Sequence, residues 1–108
     1  MKPVLWRKAA ERDAAEAAYW YATQGGIALG EKFLAAVEAG IDQISRHPGS
    51  GSLRHAMTLK LEGMRFWPIH DFPYLIFYIE RDRQLDVWRV LHAQRDVPAW
   101  MEDHGKHL

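Results

Sequence analysis

The stretch DVWRVLHAQRDV, residues 86–97, opens as an alternating apolar segment and closes by placing His92, Gln94, Arg95 and Asp96 within five positions. A histidine beside an arginine supports two different chemistries. In the first, imidazole and guanidinium act on RNA without a metal: a base takes the 2′-hydroxyl proton, an acid protonates the leaving oxygen, and a cation steadies the charged phosphorus centre. Arg65 and His70 could join that cluster if the end of one strand approaches the end of another. In the second, His92 caps a strand end by hydrogen-bonding backbone, while Arg95 and Asp96 form an ordinary ion pair. The residues alone leave both open.

Other site chemistries find less support. Six histidines invite a metal reading, yet no two sit at i,i+4 on a predicted helix beside a carboxylate, and only His104 and His107, in the tail, are close. No metal site is expected. Gly49 and Gly51 lack the lysine-serine pair and helix start of a phosphate-cradling loop, so no nucleotide cofactor is expected either. Tyr19, Trp20 and Tyr21 occupy successive positions of a predicted helix and span about 200° of its circumference, so at least one must face outward. With Trp6, Trp67, Trp88 and Trp100 they could build a contiguous exposed patch, which would mark a partner surface.

The elements that position these residues follow from periodicity. KPVLWR, 2–7, reads as a first strand, with Pro3 suited to an edge. Ala10, Ala14, Ala17, Ala18 and Tyr21 recur at three and four, the spacing of a helix face, and the glycines of QGG, 24–26, end that helix. Phe33, Leu34, Val37, Ile41 and Ile44 predict a second helix over 27–47, stopped by HPGSGS, 47–52. So short a turn makes the two antiparallel. LKLEGMRFWPI, 59–69, alternates as a half-buried strand, with Leu59, Leu61 and Gly63 on one face. YLIFYIE, 74–80, is apolar on both faces, as a central strand is, and QLDVWRVLH, 84–92, completes an antiparallel meander. VPAWMED, 97–103, predicts a short terminal helix, and HGKHL is expected to fray. The fold class is therefore α+β: a helical hairpin on a small, mainly antiparallel sheet in the order β-α-α-β-β-β, with a short C-terminal helix.

The totals agree with a single domain over 1–108. With 108 residues, 48% hydrophobic and 26% charged, the chain is large enough to bury a core and far from the composition of disorder. It has no cysteine, which excludes a disulfide framework and fits a reducing compartment, and no apolar run long enough for a membrane span or signal peptide. Cytoplasmic localisation is expected. Fourteen Lys plus Arg balance fourteen Asp plus Glu, so a grip on nucleic acid would have to come from a local patch. The first 45 residues lean acidic and the region from Arg46 to Arg95 leans basic.

AERDAAEAAYWYATQGG, GEKFLAAVEAGIDQISRHPGSG and above all PYLIFYIERDRQLDVWRVLHAQRD, with a YLIFY strand and a VLHxxRD strand end, resemble the ParE branch of the RelE/ParE superfamily, the toxins of type II toxin–antitoxin systems. The likeness covers nearly the whole chain. It implies a toxin that poisons DNA gyrase by binding, with no catalytic residue and no cofactor, held in a hetero-oligomer by a ParD-like ribbon-helix-helix antitoxin that alone contacts operator DNA. The antitoxin's C-terminal segment would dock against the hairpin and along the sheet, with Trp20, Tyr21, Phe33 and Val37 as the candidate surface. The RelE branch implies a different activity, ribosome-dependent mRNA cleavage, and would assign it to Arg65, His92 and Arg95. Against it, Pro73, Tyr74 and Leu75 stand where that branch often carries a strand arginine, and the net charge is zero. A third possibility is a homologue that retains antitoxin binding and has lost toxicity.

Overall fold

The small side chains of Ala10, Ala14, Ala17 and Ala18 recur along α1 (Lys8–Gly25) and are all buried. They let α1 lie close against α2 (Ile27–Arg46), where a Cβ added at Gly30 would meet the Ala18 carbonyl oxygen at 2.8 Å. The turn between the helices is one residue, Gly26, whose φ of 96° is in the region that favours glycine. The second helix in turn lies close on the sheet, since a Cβ at Gly40 would come within 2.8 Å of Ile76 Cδ1. This computed structural model describes the backbone of residues 1–106 and the side-chain surroundings of residues 1–103.

The hairpin follows β1 (Val4–Trp6) and precedes a 3-10 turn at Pro48–Ser50, a one-turn helix α3 (Ala56–Leu59), β2 (Met64–Pro68), β3 (Tyr74–Glu80), β4 (Leu85–His92) and α4 (Val97–Lys106). The four strands form one sheet in the order β1-β4-β3-β2. The meander pairs antiparallel, with Tyr74 opposite His92 and Arg65 opposite Tyr78, whereas β1 runs parallel to β4 from Val4 opposite Leu85 to Trp6 opposite Val87. That parallel pair requires a long crossover, which the two helices supply. The sheet is thus apolar on both faces. Phe33, Val37, Ile44, Ile76, Tyr78, Val87 and Val90 fill the core under the hairpin, while Leu59, Met64, Phe77, Leu91, Val97 and Trp100 fill a second one under α3 and α4. No helix among the described residues is long and apolar enough to cross a membrane.

Two sequence expectations need correcting. The strand expected over 59–69 begins only at Met64: Leu59 closes α3, and Lys60 (φ 56°) and Gly63 (φ 81°) are left-handed, which no strand accommodates. Leu59 and Leu61 are apolar because both pack into the second core, so their spacing of two reports burial and not a pleat. The terminal helix reaches Lys106, three residues past the expected end. The expected fraying of 107–108 and the spacing of His104 and His107 lie outside what the structure describes.

The sheet edges are unequally protected. Beyond the short β1, the Val90 N–H of β4 donates to Asp13 Oδ2 at 3.0 Å and the His92 N–H donates to Asp96 Oδ2 at 3.1 Å. On the far side, Ser52 exchanges two backbone bonds with Phe66, and Pro68 has no N–H to offer. Among the described residues no strand pairs with the outer edge of β1, although just before it the Lys2 N–H donates to the Ser45 carbonyl and Ser45 Oγ donates to the Lys2 carbonyl.

Candidate functional site

The polar end of β4 is a turn held by its own side chains. His92 Nδ1 accepts the backbone N–H groups of Gln94 (3.2 Å) and Arg95 (3.1 Å), and the ring meets Tyr74 edge to face at 5.3 Å between centroids. Arg95 donates through Nε and Nη2 to both carboxylate oxygens of Asp96, at 2.7 and 3.0 Å, and at 3.3 Å to the Tyr74 hydroxyl. That pairing holds the Asp96 carboxyl below its usual range against the opposing effect of burial, and the same bonds raise the Arg95 guanidinium. The arrangement is the strand-end cap that was one of the two readings of DVWRVLHAQRDV. The Nδ1 lone pair is occupied, so it is not free to take a substrate proton.

The wider cluster does not assemble. Arg65 pairs with Tyr78 and His92 pairs with Tyr74, four residues apart on β3 and on opposite neighbours of that strand. This separates them by about 13 Å along the sheet and about 10 Å across it. The Arg65 guanidinium donates to the Gly51 carbonyl at 2.8 Å and braces the loop after α2. His70 is an exposed side chain beside Asp71. Arg65, His70, His92 and Arg95 therefore form no common pocket, which corrects the convergence expected of an antiparallel meander.

The candidate docking residues divide sharply. Phe33 is 0% and Val37 3% exposed, so both belong to the core and neither offers surface, contrary to expectation. They lie on the stripe of α2 that faces the sheet, and that position decides their burial. Tyr21 is half-buried, stacked on Phe33 at 5.3 Å and edge-on to Phe72 at 4.9 Å, and burial raises its hydroxyl pKa. Trp20 is the one member of the set that faces solvent, at 50% exposure, with its ring edge-to-face on Tyr21 at 5.1 Å. It walls a cleft of about 210 Å³ with Asp13, Glu16, Tyr74, Arg95 and Asp96. On the other flank of α1, Trp6, Ala14, Ala15 and Leu34 line a shallow groove of about 440 Å³.

Tyr19, one of the three successive aromatics of which at least one had to face outward, is exposed, and so are Ile27, Leu34 and Leu5, which sequence reasoning did not single out as surface. Tyr19 and Ile27 fall off the buried helical stripes, a signal that periodicity does carry. Among the described residues no group of His, Asp or Glu is arranged to hold a metal ion.

Two partly buried ion-pair networks fasten this surface to the sheet. Asp86, 4% exposed, accepts both Arg7 Nε (2.9 Å) and Nη2 (3.0 Å), then Arg81 Nη2 (3.0 Å) and Trp88 Nε1 (3.1 Å). Arg7 also stacks 3.6 Å above the Trp88 ring, and its bonds depress the Asp86 carboxyl more than burial raises it. Asp13 binds Arg89 through both oxygens at 2.7 and 2.9 Å, which ties α1 to β4.

A family model described as "ParE toxin of type II toxin-antitoxin system, parDE" matches residues 4–97. No curated protein matches the chain significantly. Among solved structures, a chain of the "Chromosomal ParDE TA system from P. aeruginosa" superposes with a TM-score of 0.73 at 14% identity, covering 87% of this chain and 98% of that one. At that identity the likeness is one of fold.

Proposed function

The chain belongs to the ParE toxin family of type II toxin–antitoxin systems, and from that premise we propose that it acts as one toxin domain in the cytoplasm, arresting growth by binding DNA gyrase and released from that role by a ParD-like ribbon-helix-helix antitoxin. The observation that carries the reading is the character of the surface. Arg65 stands apart from His92, whose Nδ1 accepts backbone N–H groups, and Arg95 is paired with Asp96, whereas the hairpin and β1 expose Trp20, Tyr19, Ile27, Leu34 and Leu5, of which Trp20 and Leu34 line shallow clefts. Such a surface suits capture by another polypeptide better than turnover of a small substrate.

The antitoxin surface we assign is Trp20 with the accessible side of Tyr21, extended by Tyr19, Ile27 and Leu34. Phe33 and Val37 support it from beneath. A helix laid on α1 would cover the aromatic residues, and an extended segment would pair with the outer edge of β1. Operator DNA is contacted through the antitoxin alone in this reading.

Expression of the chain alone, with and without a ParD-like antitoxin, tests it. Filamentation with DNA-damage signalling, relieved by the antitoxin, is expected. Translation arrest with mRNA cleavage that disappears in His92→Ala or Arg95→Ala would overturn it in favour of a ribosome-dependent ribonuclease.

A further inference from the structure

Asp13, Glu16 and Trp20 recur at three and four along α1, which sets them in one stripe on its surface. That stripe looks onto the polar end of β4 and walls the cleft of about 210 Å³ together with Tyr74, Arg95 and Asp96. A second hollow of about 420 Å³ shares Asp13, Glu16, Arg95 and Asp96 and reaches Trp100 of α4. The two form one trench between α1 and α4, and Trp20 makes it continuous with the antitoxin surface assigned above.

The charges in the trench are unequally matched. Arg89 closes Asp13, donating through Nε and Nη2 to both its oxygens, and Arg95 closes Asp96 in the same way. Glu16 is exposed and takes part in none of the ion pairs among the described residues; it acts on Arg89 through its field. The lining of the two hollows sets Asp13, Glu16, Asp96 and Asp103 against Arg89 and Arg95, four carboxylates against two cations. That surplus repels phosphate, which sets nucleic acid aside as an occupant.

Carboxylates on a wet helix face are ordinary and would carry no ligand by themselves. Here the residue one turn on from Glu16 is a tryptophan, half out of water, that walls the same cleft. A guanidinium satisfies both groups at once, since it stacks on an indole face while donating to a carboxylate. The surroundings are already held: Asp13 Oδ2 also accepts the Val90 N–H at 3.0 Å, and Asp96 Oδ2 accepts the His92 N–H at 3.1 Å. Little ordering is therefore needed to receive a side chain.

We propose that the cleft between Trp20 and Glu16 is a socket for an arginine side chain of the antitoxin, seated in continuation of the segment that covers Trp20 and Tyr21. The inference rests on the antitoxin reading above and adds the chemistry of the contact. The aromatic wall supplies affinity, and Glu16 selects the partner by charge, because an acidic residue brought to the same place meets an unmatched carboxylate.

The full-length chain, Glu16→Gln, Glu16→Lys and, as a control away from the cleft, Glu62→Gln are titrated with a ParD-like antitoxin at low and at high salt, and each antitoxin arginine is replaced in turn by glutamine. Glu16→Lys is expected to bind about tenfold more weakly, or worse, through introduced repulsion. Glu16→Gln should lose about two- to fivefold, with the difference shrinking as salt rises, and Glu62→Gln should bind as the unsubstituted chain does. One antitoxin arginine should lose its effect in the Glu16→Gln background, the mark of a direct contact. Should Glu16→Lys fail to fold, that pairing in Glu16→Gln decides alone. Undiminished affinity in Glu16→Lys, or a loss in Glu16→Gln that couples to no antitoxin arginine, overturns the socket and leaves the toxin reading in place. If the unsubstituted chain binds no ParD-like antitoxin, the reading beneath fails and the socket with it.

Discussion

Substituting Trp20 and Phe33 separately distinguishes surface from core within a single aromatic cluster. Trp20 is 50% exposed, and an aromatic side chain of this size buries on the order of 200 Å², so about 100 Å² remains for a partner to cover. At about 25 cal/mol per Å² that is roughly 2.5 kcal/mol of binding, on the order of 50-fold in Kd. Its contribution to folding is limited to the buried half and the contact with Tyr21 at 5.1 Å, an aromatic pair worth about 1 kcal/mol. Phe33 presents the opposite case: fully buried against Tyr21, Phe72 and Tyr74, its truncation to alanine costs about 3–5 kcal/mol of stability. Urea denaturation gives the stabilities, and titration of purified antitoxin segment into each variant gives the affinities. Trp20→Ala should lose less stability than Phe33→Ala and bind about 50-fold more weakly, while Phe33→Ala should be severely destabilised. Undiminished affinity in Trp20→Ala, or equal destabilisation of the two, would refute the division of this cluster into surface and support.

Three further outcomes follow from the polar networks. Asp86→Asn leaves Arg7 and Arg81 facing an amide; loss of a buried charge partner costs about 3–5 kcal/mol, and because both arginine side chains are nearly half exposed and can rehydrate, about 2–3 kcal/mol is expected in chemical denaturation. Tyr78→Phe strands the Gly51 N–H and the Pro48 carbonyl, so a loss of about 1–3 kcal/mol should appear together with faster hydrogen exchange across 48–52 and unchanged exchange in the hairpin. The carboxyls of Asp86 and Asp96 are held below their ordinary range, so the stability they add is whole above about pH 4 and is lost as pH falls through their folded values. Melting temperature should drop steeply below about pH 4, and less steeply in Asp86→Asn; a flat profile would contradict the assignment.

The parts of this fold that local sequence dictates were the legible ones. The alanine spacing of α1, the glycines at 25 and 26 and the two-sided apolarity of YLIFYIE each follow from a short-range rule, and the structure places them accordingly. Where Leu59 and Leu61 satisfied a strand's alternation, their burial in the core under α3 supplied a different reason for the same pattern. The left-handed Lys60 carried no warning in its residue type. Phe33 and Val37 show a second kind of error, since the stripe that names them as helix-face residues also consigns them to the core. The networks of Arg7 with Asp86 and of Asp13 with Arg89 join residues 79 and 76 positions apart, which no reading of neighbours reveals. At the candidate site, the local bonds of His92, Arg95 and Asp96 were foreseeable, and the wide separation of Arg65 was not, because it depends on register.

The most direct test of the account is a supercoiling assay with purified gyrase, titrated with the purified chain and then with a ParD-like antitoxin. Inhibition that tracks the ratio of toxin to gyrase, persists in His92→Ala, and is reversed by the antitoxin is the predicted result. Full supercoiling at micromolar toxin, from a chain that still arrests growth, would contradict it.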